Sequence, residues 1–442
     1  MIGPILARRD AAGFWLAVVL TGIGTGLGAA VLTGLLELVQ HTLWSGGGID
    51  LLDAASRAAT WKHIVLLAGA GALTGAGQFL LVRLPSANSI DITAAIWFQA
   101  GRLPALRTLG SAVLSILVVG MGASLGREGA PKQTGAVIAN LLSDRVRLSD
   151  EQRRLLVACG AGAGLSAAYG VPLGGALFAL EVLRGELALR FVLPALMTSL
   201  IATGVSWTFL PDVPTYLIPA YPGSIGVAIW AVLAGPLAGV ASVAYVRAVA
   251  WADRHRPEGR WRFTAPVMAL TLLGVVSIFF PQLLGNGRDV AQLAFTGKLA
   301  PLLLLILLLL KPLATLLCLG SGTPGGLFTP SLAMGALLGG VLGILWSYVW
   351  PGIPPGLFAV LGAAAVLAAT TQGPLSTIVL MMELTGHARA FIVPLLLMVA
   401  IATLVARTIE PRSIYDARLS DAEVLKRQHQ RDPARPDHGP AN

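Results

Sequence analysis

Charge is scarce in this chain. Only 12% of its 442 residues are Asp, Glu, Lys or Arg, about half the share of an ordinary soluble domain, which excludes a water-soluble globular protein. Cysteine is nearly absent: Cys159 and Cys318 are the only two, both in apolar surroundings, so no disulfide framework is expected. The six histidines, His41, His63, His255, His387, His429 and His438, fall in no metal-ligand spacing. There is no phosphate-binding lysine loop and no nucleophile elbow. Neither an enzyme nor an ATP-driven pump is expected, and no cofactor. The glycine runs GIGTGLG (22–28) and GAGAG (160–164) follow no strand and open no βαβ unit, which assigns them to close helix packing rather than dinucleotide binding.

What the chain has is apolar length. Hydrophobic residues make up 55% and the mean hydropathy is +0.76. Windows close to the ~20 residues that cross a bilayer recur at 12–39, 63–82, 109–125, 191–210, 224–250, 264–280, 299–319, 331–350 and 389–408. The expectation is an all-α, multi-pass integral membrane protein. Two further stretches, 155–182 and 357–382, are studded with Gly, Ala, Ser and Thr, which suits tightly packed or broken helices. The first apolar span is too long for a signal-peptide core and reads as a retained helix.

The net charge of +9 and the pI near 10.1 come from short basic runs between apolar spans: SDRVRLSDEQRR (143–154), RHRPEGRWR (254–262) and KRQHQRDPARPDH (426–438). Such runs mark cytoplasmic loops. With Arg8 and Arg9 they put both termini in the cytoplasm and the protein in the cell (inner) membrane. No basic soluble module is present, so nucleic acid is not an expected partner.

The chain repeats. LSAAYGVPLGGALFALEVL (165–183) matches LAATTQGPLSTIVLMMELT (367–385) at Leu165/Leu367, Ala167/Ala369, Pro172/Pro374, Leu173/Leu375 and Glu181/Glu383, and GREGAP (126–131) faces GGLFTP (325–330). The two offsets, 202 and 199 residues, are nearly equal and close to half the chain. The expected organisation is a short N-terminus (1–11), a membrane domain (12–410) with halves at about 12–210 and 220–410, and a closing segment with a tail (411–442). Paired Gly/Pro breaks in corresponding positions of two halves point to a binding site at the bilayer midplane.

GREGAP carries the chemistry. A non-helical break at bilayer depth is tolerated only where it lines a cavity or is buried in protein, and the helix that follows presents unpaired amides and a positive dipole end there. That is an anion site made of peptide, with Glu128 as the one carboxylate competing for it. An intramembrane acid is a functional candidate by default; a plain salt bridge to Arg127 or Lys132 is the bland alternative. GSGTPGGLFTPSLAMG (320–335) repeats the device, and LPSANSIDITAAIW (84–97) offers Ser86, Asn88 and Ser89 as helix N-caps. Three helix N-termini would then converge on one point. For Glu181 and Glu383, structural capping is expected ahead of a transport role.

These motifs, in this order, resemble the CLC family of chloride channels and proton-coupled anion antiporters, over about residues 12–420. GREGAP resembles the family's G-R/K-E-G-P loop, GGLFTP its G-x-F-x-P loop, GLSAAYGVPLGGALFALE and GPLSTIVLMMELT the flanking helices, and SIYDA (413–417) the segment with the pore tyrosine. The resemblance implies a fold of two inverted halves with many tilted and broken helices, a homodimer with one pore per subunit, and chloride or a similar anion as substrate. It implies Glu128 as the gating glutamate, Arg127 and Gly129 as its flanking backbone donors, and Leu327 and Phe328 as amide donors to the central anion. Tyr415 would close that site.

Three departures qualify it. The family's coordinating serine is replaced by Asn88, or by Ser89 in a shifted register. The position next to Glu181, an acid in most of the family's antiporters, is Val182, as in its passive channels, so channel-like conduction is expected ahead of proton-coupled exchange. Pro131 stands one place beyond the family proline, with Lys132 next to it, expected to alter the outer electrostatics. Leu327 stands where fluoride-specialised members carry glutamate, which argues against that branch. A cation-coupled transporter of organic substrates would share the repeats and breaks but would need more intramembrane acids than Glu128, Glu181, Glu383 and Asp91. A membrane scaffold would not need Glu128 at all.

Overall fold

The computed structural model describes residues 11–44, 50–84, 88–221, 223–386, 391–419 and 423. The expectations for the N-terminus, for Ser86 as a cap and for the tail beyond 419 therefore lie almost wholly outside the described residues. The first half runs α1 (Ala11–Trp44), α2 (Leu51–Arg57), α3 (Thr60–Arg83), α4 (Ile92–Phe98), α5 (Ala105–Gly120), α6 (Gly129–Val146), α7 (Asp150–Tyr169), α8 (Pro172–Phe178) and α9 (Leu189–Ser206). The second runs α10 (Ile225–Arg254), α11 (Trp261–Ser277), α12 (Arg288–Phe295), α13 (Pro301–Gly320), α14 (Phe328–Ser347), α15 (Pro355–Thr371), α16 (Pro374–Thr385) and α17 (Ile392–Ile409). Among the described residues seven helices are long and apolar enough to cross a membrane.

The repeat is structural. Helices beginning at 129, 172 and 189 have counterparts beginning at 328, 374 and 392, and the packing repeats with them: α1 lies on α9, α7 and α6, and α10 on α17, α15 and α14. The halves meet at the two matched loops. Gly126 and Gly326 pair antiparallel, each N–H donating to the other's carbonyl at 2.7 Å; Gly326 stands one place beyond Gly325, the glycine matched to Gly126 in the repeat.

Both Gly/Ala-rich stretches are broken helices, each interrupted at the same place. α7 starts on a capping box, Ser149 with Gln152, and ends at Gly170 with φ 68° before Pro172 opens α8. α15 ends at Gln372 with φ 58° before Pro374 opens α16. A left-handed residue costs a non-glycine about 1–2 kcal/mol; Arg407 offsets this by donating to both the Gln372 carbonyl and its side-chain oxygen at 3.0 and 2.9 Å. From Leu155 to Tyr169 and along all but the first residue of α15 every residue is buried. The small residues serve that burial: Gly135 and Gly160 let α6 and α7 touch backbone to backbone, and Gly335 and Gly362 do the same for α14 and α15.

Candidate anion site

The GREGAP break leaves Glu128 just before α6, but its side chain does not cap that helix. It crosses to the other half. Glu128 Oε1 accepts the Phe328 amide at 2.7 Å, and Oε2 accepts the Thr329 hydroxyl at 3.2 Å and the Tyr169 hydroxyl at 3.4 Å. The carboxylate is fully buried. It sits on the first turn of the 20-residue α14, where unpaired amides and the helix dipole favour a negative charge. Among the described residues it makes no ion pair with Arg127 or Lys132, so the salt-bridge alternative is not what the fold builds.

The residues flanking Glu128 face different cavities. Gly129 lines a cavity of about 410 Å³ with Ser89, Asp91, Lys132, Leu327 and Tyr415. Arg127 lines a smaller one, about 100 Å³, with Glu37, Tyr169, Trp207 and Arg288; its guanidinium lies 4.9 Å over the Tyr169 ring. Glu128 thus stands at the partition. Phe328 is buried beneath it between Tyr169 and Phe178, ring centroids 6.3 and 6.4 Å away.

SIYDA folds into the mouth of the larger cavity. Ser413 and Asp416 cap one another through backbone and side chain at 3.1–3.2 Å, and the Ile414 amide donates to the Thr370 carbonyl at 2.7 Å. Tyr415 is thereby set edge-on to Phe178 at 5.9 Å. Lys132 reaches the same place: Nζ donates to the Tyr415 hydroxyl at 3.4 Å and lies 4.8 Å from that ring's centre and 5.3 Å from that of Phe178. Its sequence position beside the gating loop suggested an effect on the outer face; one helical turn instead carries the ammonium to the Tyr415 side.

The loop before α4 also differs from expectation. The N-cap is Asp91, whose carboxylate accepts the Ala94 amide at 2.9 Å, while Ser89 Oγ accepts the Asp91 amide at 3.0 Å. An ionised carboxylate is the stronger acceptor and takes the cap from the Asn88 and Ser89 candidates. Ser89 lines the cavity; Asn88 is not among its lining residues.

A family model described as voltage gated chloride channel matches residues 70–407. The chain belongs to the CLC family. It is 33% identical to a ClcB-like chloride channel protein of Ralstonia nicotianae, over 79% of this chain and 83% of that one. It is 30% identical to an H(+)/Cl(-) exchange transporter, ClcA, of Vibrio parahaemolyticus, over 67% of this chain and 66% of the other. Its fold is similar to the crystal structure of a slow cyanobacterial Cl-/H+ antiporter, with a TM-score of 0.79 at 23% identity, covering 96% of this chain and 99% of that one. It is a multi-pass, all-α membrane protein of the CLC fold, and anion transport is the activity of its family.

Within that CLC frame, sequence reasoning missed Tyr169 and Thr329, the two hydroxyls on the Glu128 carboxylate. Both sit inside motifs already quoted, GLSAAYG and GGLFTP, but nothing local distinguishes a hydroxyl that reaches a carboxylate on another segment from one that bonds its own helix. It also missed Asp91 as the cap and Phe178 as the wall behind Tyr415.

Proposed function

We propose that this protein carries chloride or a similar small monovalent anion by channel-like conduction, through one pathway per subunit gated by Glu128. The observation that carries the reading is the Glu128 carboxylate on the Phe328 amide, buried between two polar cavities. An anion would want that same place, and the carboxylate holds it by a charge-assisted hydrogen bond. Protonation removes the charge and the reason to stay; the amides and hydroxyls left behind replace part of an anion's hydration shell. Activity therefore rises as pH falls.

Channel-like conduction is supported by Val182, buried and apolar on the turn after α8, where a proton-carrying side chain would be needed for coupling. Relatives bear both names, voltage-gated ClC-type chloride channel and H(+)/Cl(-) exchange transporter. The second reading, coupled exchange, draws on Asp91, an acid in the cavity on the Tyr415 side. The reading includes anion donors from Ser89 or Asn88, the backbone around Arg127 and Gly129, Leu327 and Phe328, and the Tyr415 hydroxyl. It also includes a cell-membrane location with cytoplasmic termini and a pair of like subunits. The test is chloride efflux from liposomes across pH 4.5–7.5: wild type should speed up toward acid and Glu128→Ala should be fast throughout, whereas a Glu128→Ala protein with unchanged flux and pH profile would exclude the gate.

A further inference from the structure

Two lysines lie buried in the membrane domain, and their surroundings differ. Lys311, mid-way along α13, is 1% exposed and gives its ammonium to the Leu283 and Gly285 carbonyls at 2.8 and 2.9 Å. It pins a loop, with two of its donors on backbone carbonyls. Lys132 is 5% exposed, yet its ammonium's only hydrogen bond among the described residues is the long one to Tyr415 at 3.4 Å. An ammonium has three N–H donors. The two aromatic faces beside it, Phe178 and Tyr415, attract the charge without accepting those hydrogens in the way an oxygen does, and the remaining side of the group is the 410 Å³ cavity it lines.

The charges that face Lys132 do not neutralise it. Its electrostatic neighbours are Glu128, Arg418 and Asp91. Glu128 is held by Phe328, Thr329 and Tyr169, Asp91 is engaged in capping α4, and neither comes within 4.0 Å ion-pair distance of Lys132 among the described residues. The cavity is cationic overall: Arg107, Lys132, Arg256 and Arg418 line it against Asp91 and Asp253. Asp253 is bound to Arg418 and Arg256 at 3.0 and 2.7 Å. A buried charge without a partner is costly, and the group that would complete this one is an anion in the cavity.

We propose that the Lys132 ammonium is a direct ligand of the transported anion, a halide or nitrate held between Nζ, the Tyr415 hydroxyl and the first turn of α14. The proposal rests on the anion-transport reading above and deepens it: binding in this pore draws on a side-chain charge as well as on peptide amides. It also has a kinetic consequence. A pore must release what it binds, so the lysine holds the anion more tightly without raising the maximal rate.

The test is chloride binding to the purified protein by titration calorimetry, with the chloride dependence of efflux from liposomes, for wild type, Lys132→Met, Lys132→Gln and Lys132→Arg. Losing one charge-assisted hydrogen bond corresponds to about 10- to 100-fold in affinity. Both neutral variants should raise the dissociation constant and the half-saturating chloride by that factor with maximal flux undiminished, and Lys132→Arg should remain within about threefold of wild type. A lysine that only props Tyr415 would, when replaced, lower maximal flux and leave affinity alone. Either neutral variant, folded by its thermal melt and binding chloride within about twofold of wild type, overturns the proposal while leaving the Glu128 gate standing. If wild type itself neither binds nor moves chloride, bromide or nitrate, the transport reading fails and the lysine's role with it.

Discussion

Gly326 has no side chain because the Glu128 carboxylate fills the space one would need: a Cβ there would lie 2.5 Å from Glu128 Cδ, and a Cβ at Gly126 would lie equally close. Neither glycine has a positive φ, so alanine suits the backbone at both, and the three atoms nearest its Cβ all belong to the gate. Gly326→Ala should fold, keep its bond to Gly126, and expel the carboxylate from the Phe328 amide. Its chloride efflux at pH 7.5 is expected to match Glu128→Ala and to lose most of its acceleration in acid. An alanine variant with the wild-type pH profile would mean the carboxylate does not gate from this position.

Glu181 and Glu383, paired in the repeat, both cap helices, as their sequence context suggested. Each caps the other half's broken helix: Glu181 accepts the Leu375 and Ser376 amides at 3.1 and 2.6 Å, and Glu383 accepts the Leu173 and Gly174 amides at 3.0 and 2.7 Å. Replacing either with Ala orphans two amides at a helix start, and about 2–3 kcal/mol of stability should go with them. Denaturant melts in detergent check this. Both variants should melt earlier, and each should retain the anion selectivity of wild type in liposomes.

Tyr415 contributes a hydroxyl at the cavity mouth. Tyr415→Phe keeps the ring against Phe178 and removes one neutral hydrogen-bonding group, worth about 0.5–1.5 kcal/mol. Chloride affinity should fall roughly two- to tenfold by that measure, less than for the neutral Lys132 variants. Calorimetry on the two sets side by side checks the order.

Selectivity should follow Ser89 rather than Asn88. Ser89 lines the cavity and its oxygen accepts the Asp91 amide, which leaves its hydroxyl hydrogen for an anion. Ser89→Ala should change the chloride-to-nitrate flux ratio by several-fold, and Asn88→Ala should leave it near wild type. The reverse ranking would assign the coordinating position to Asn88.

The two halves were legible in the sequence because the same break, Gly or Gln in the left-handed region followed by Pro, had to be encoded twice, at 170–172 and 372–374. Glu128 was legible because an acid flanked by glycines inside an apolar chain is rare enough to stand out. The direction of Lys132 was not: its place beside the gating loop pointed outward, while α6 turns it inward to Phe178 and Tyr415. Asp91 was missed as a cap because serine and asparagine precede it and share its propensity; which of the three reaches the Ala94 amide is decided by the backbone, not the residue type. Thr329 meets Glu128 only because the halves close on each other at Gly126 and Gly326, a contact between residues about two hundred positions apart that no local pattern carries; Tyr169 reaches the same carboxylate from α7 of Glu128's own half.

The most direct measurement is chloride efflux and external pH recorded together on purified protein in liposomes, under an outward chloride gradient, without a protonophore. The account predicts chloride leaving with no proton movement in wild type, and faster chloride leaving in Glu128→Ala. Protons driven uphill by the chloride gradient in fixed proportion, and lost in Glu128→Ala while chloride still moves, would contradict it and make this protein an exchanger in spite of Val182.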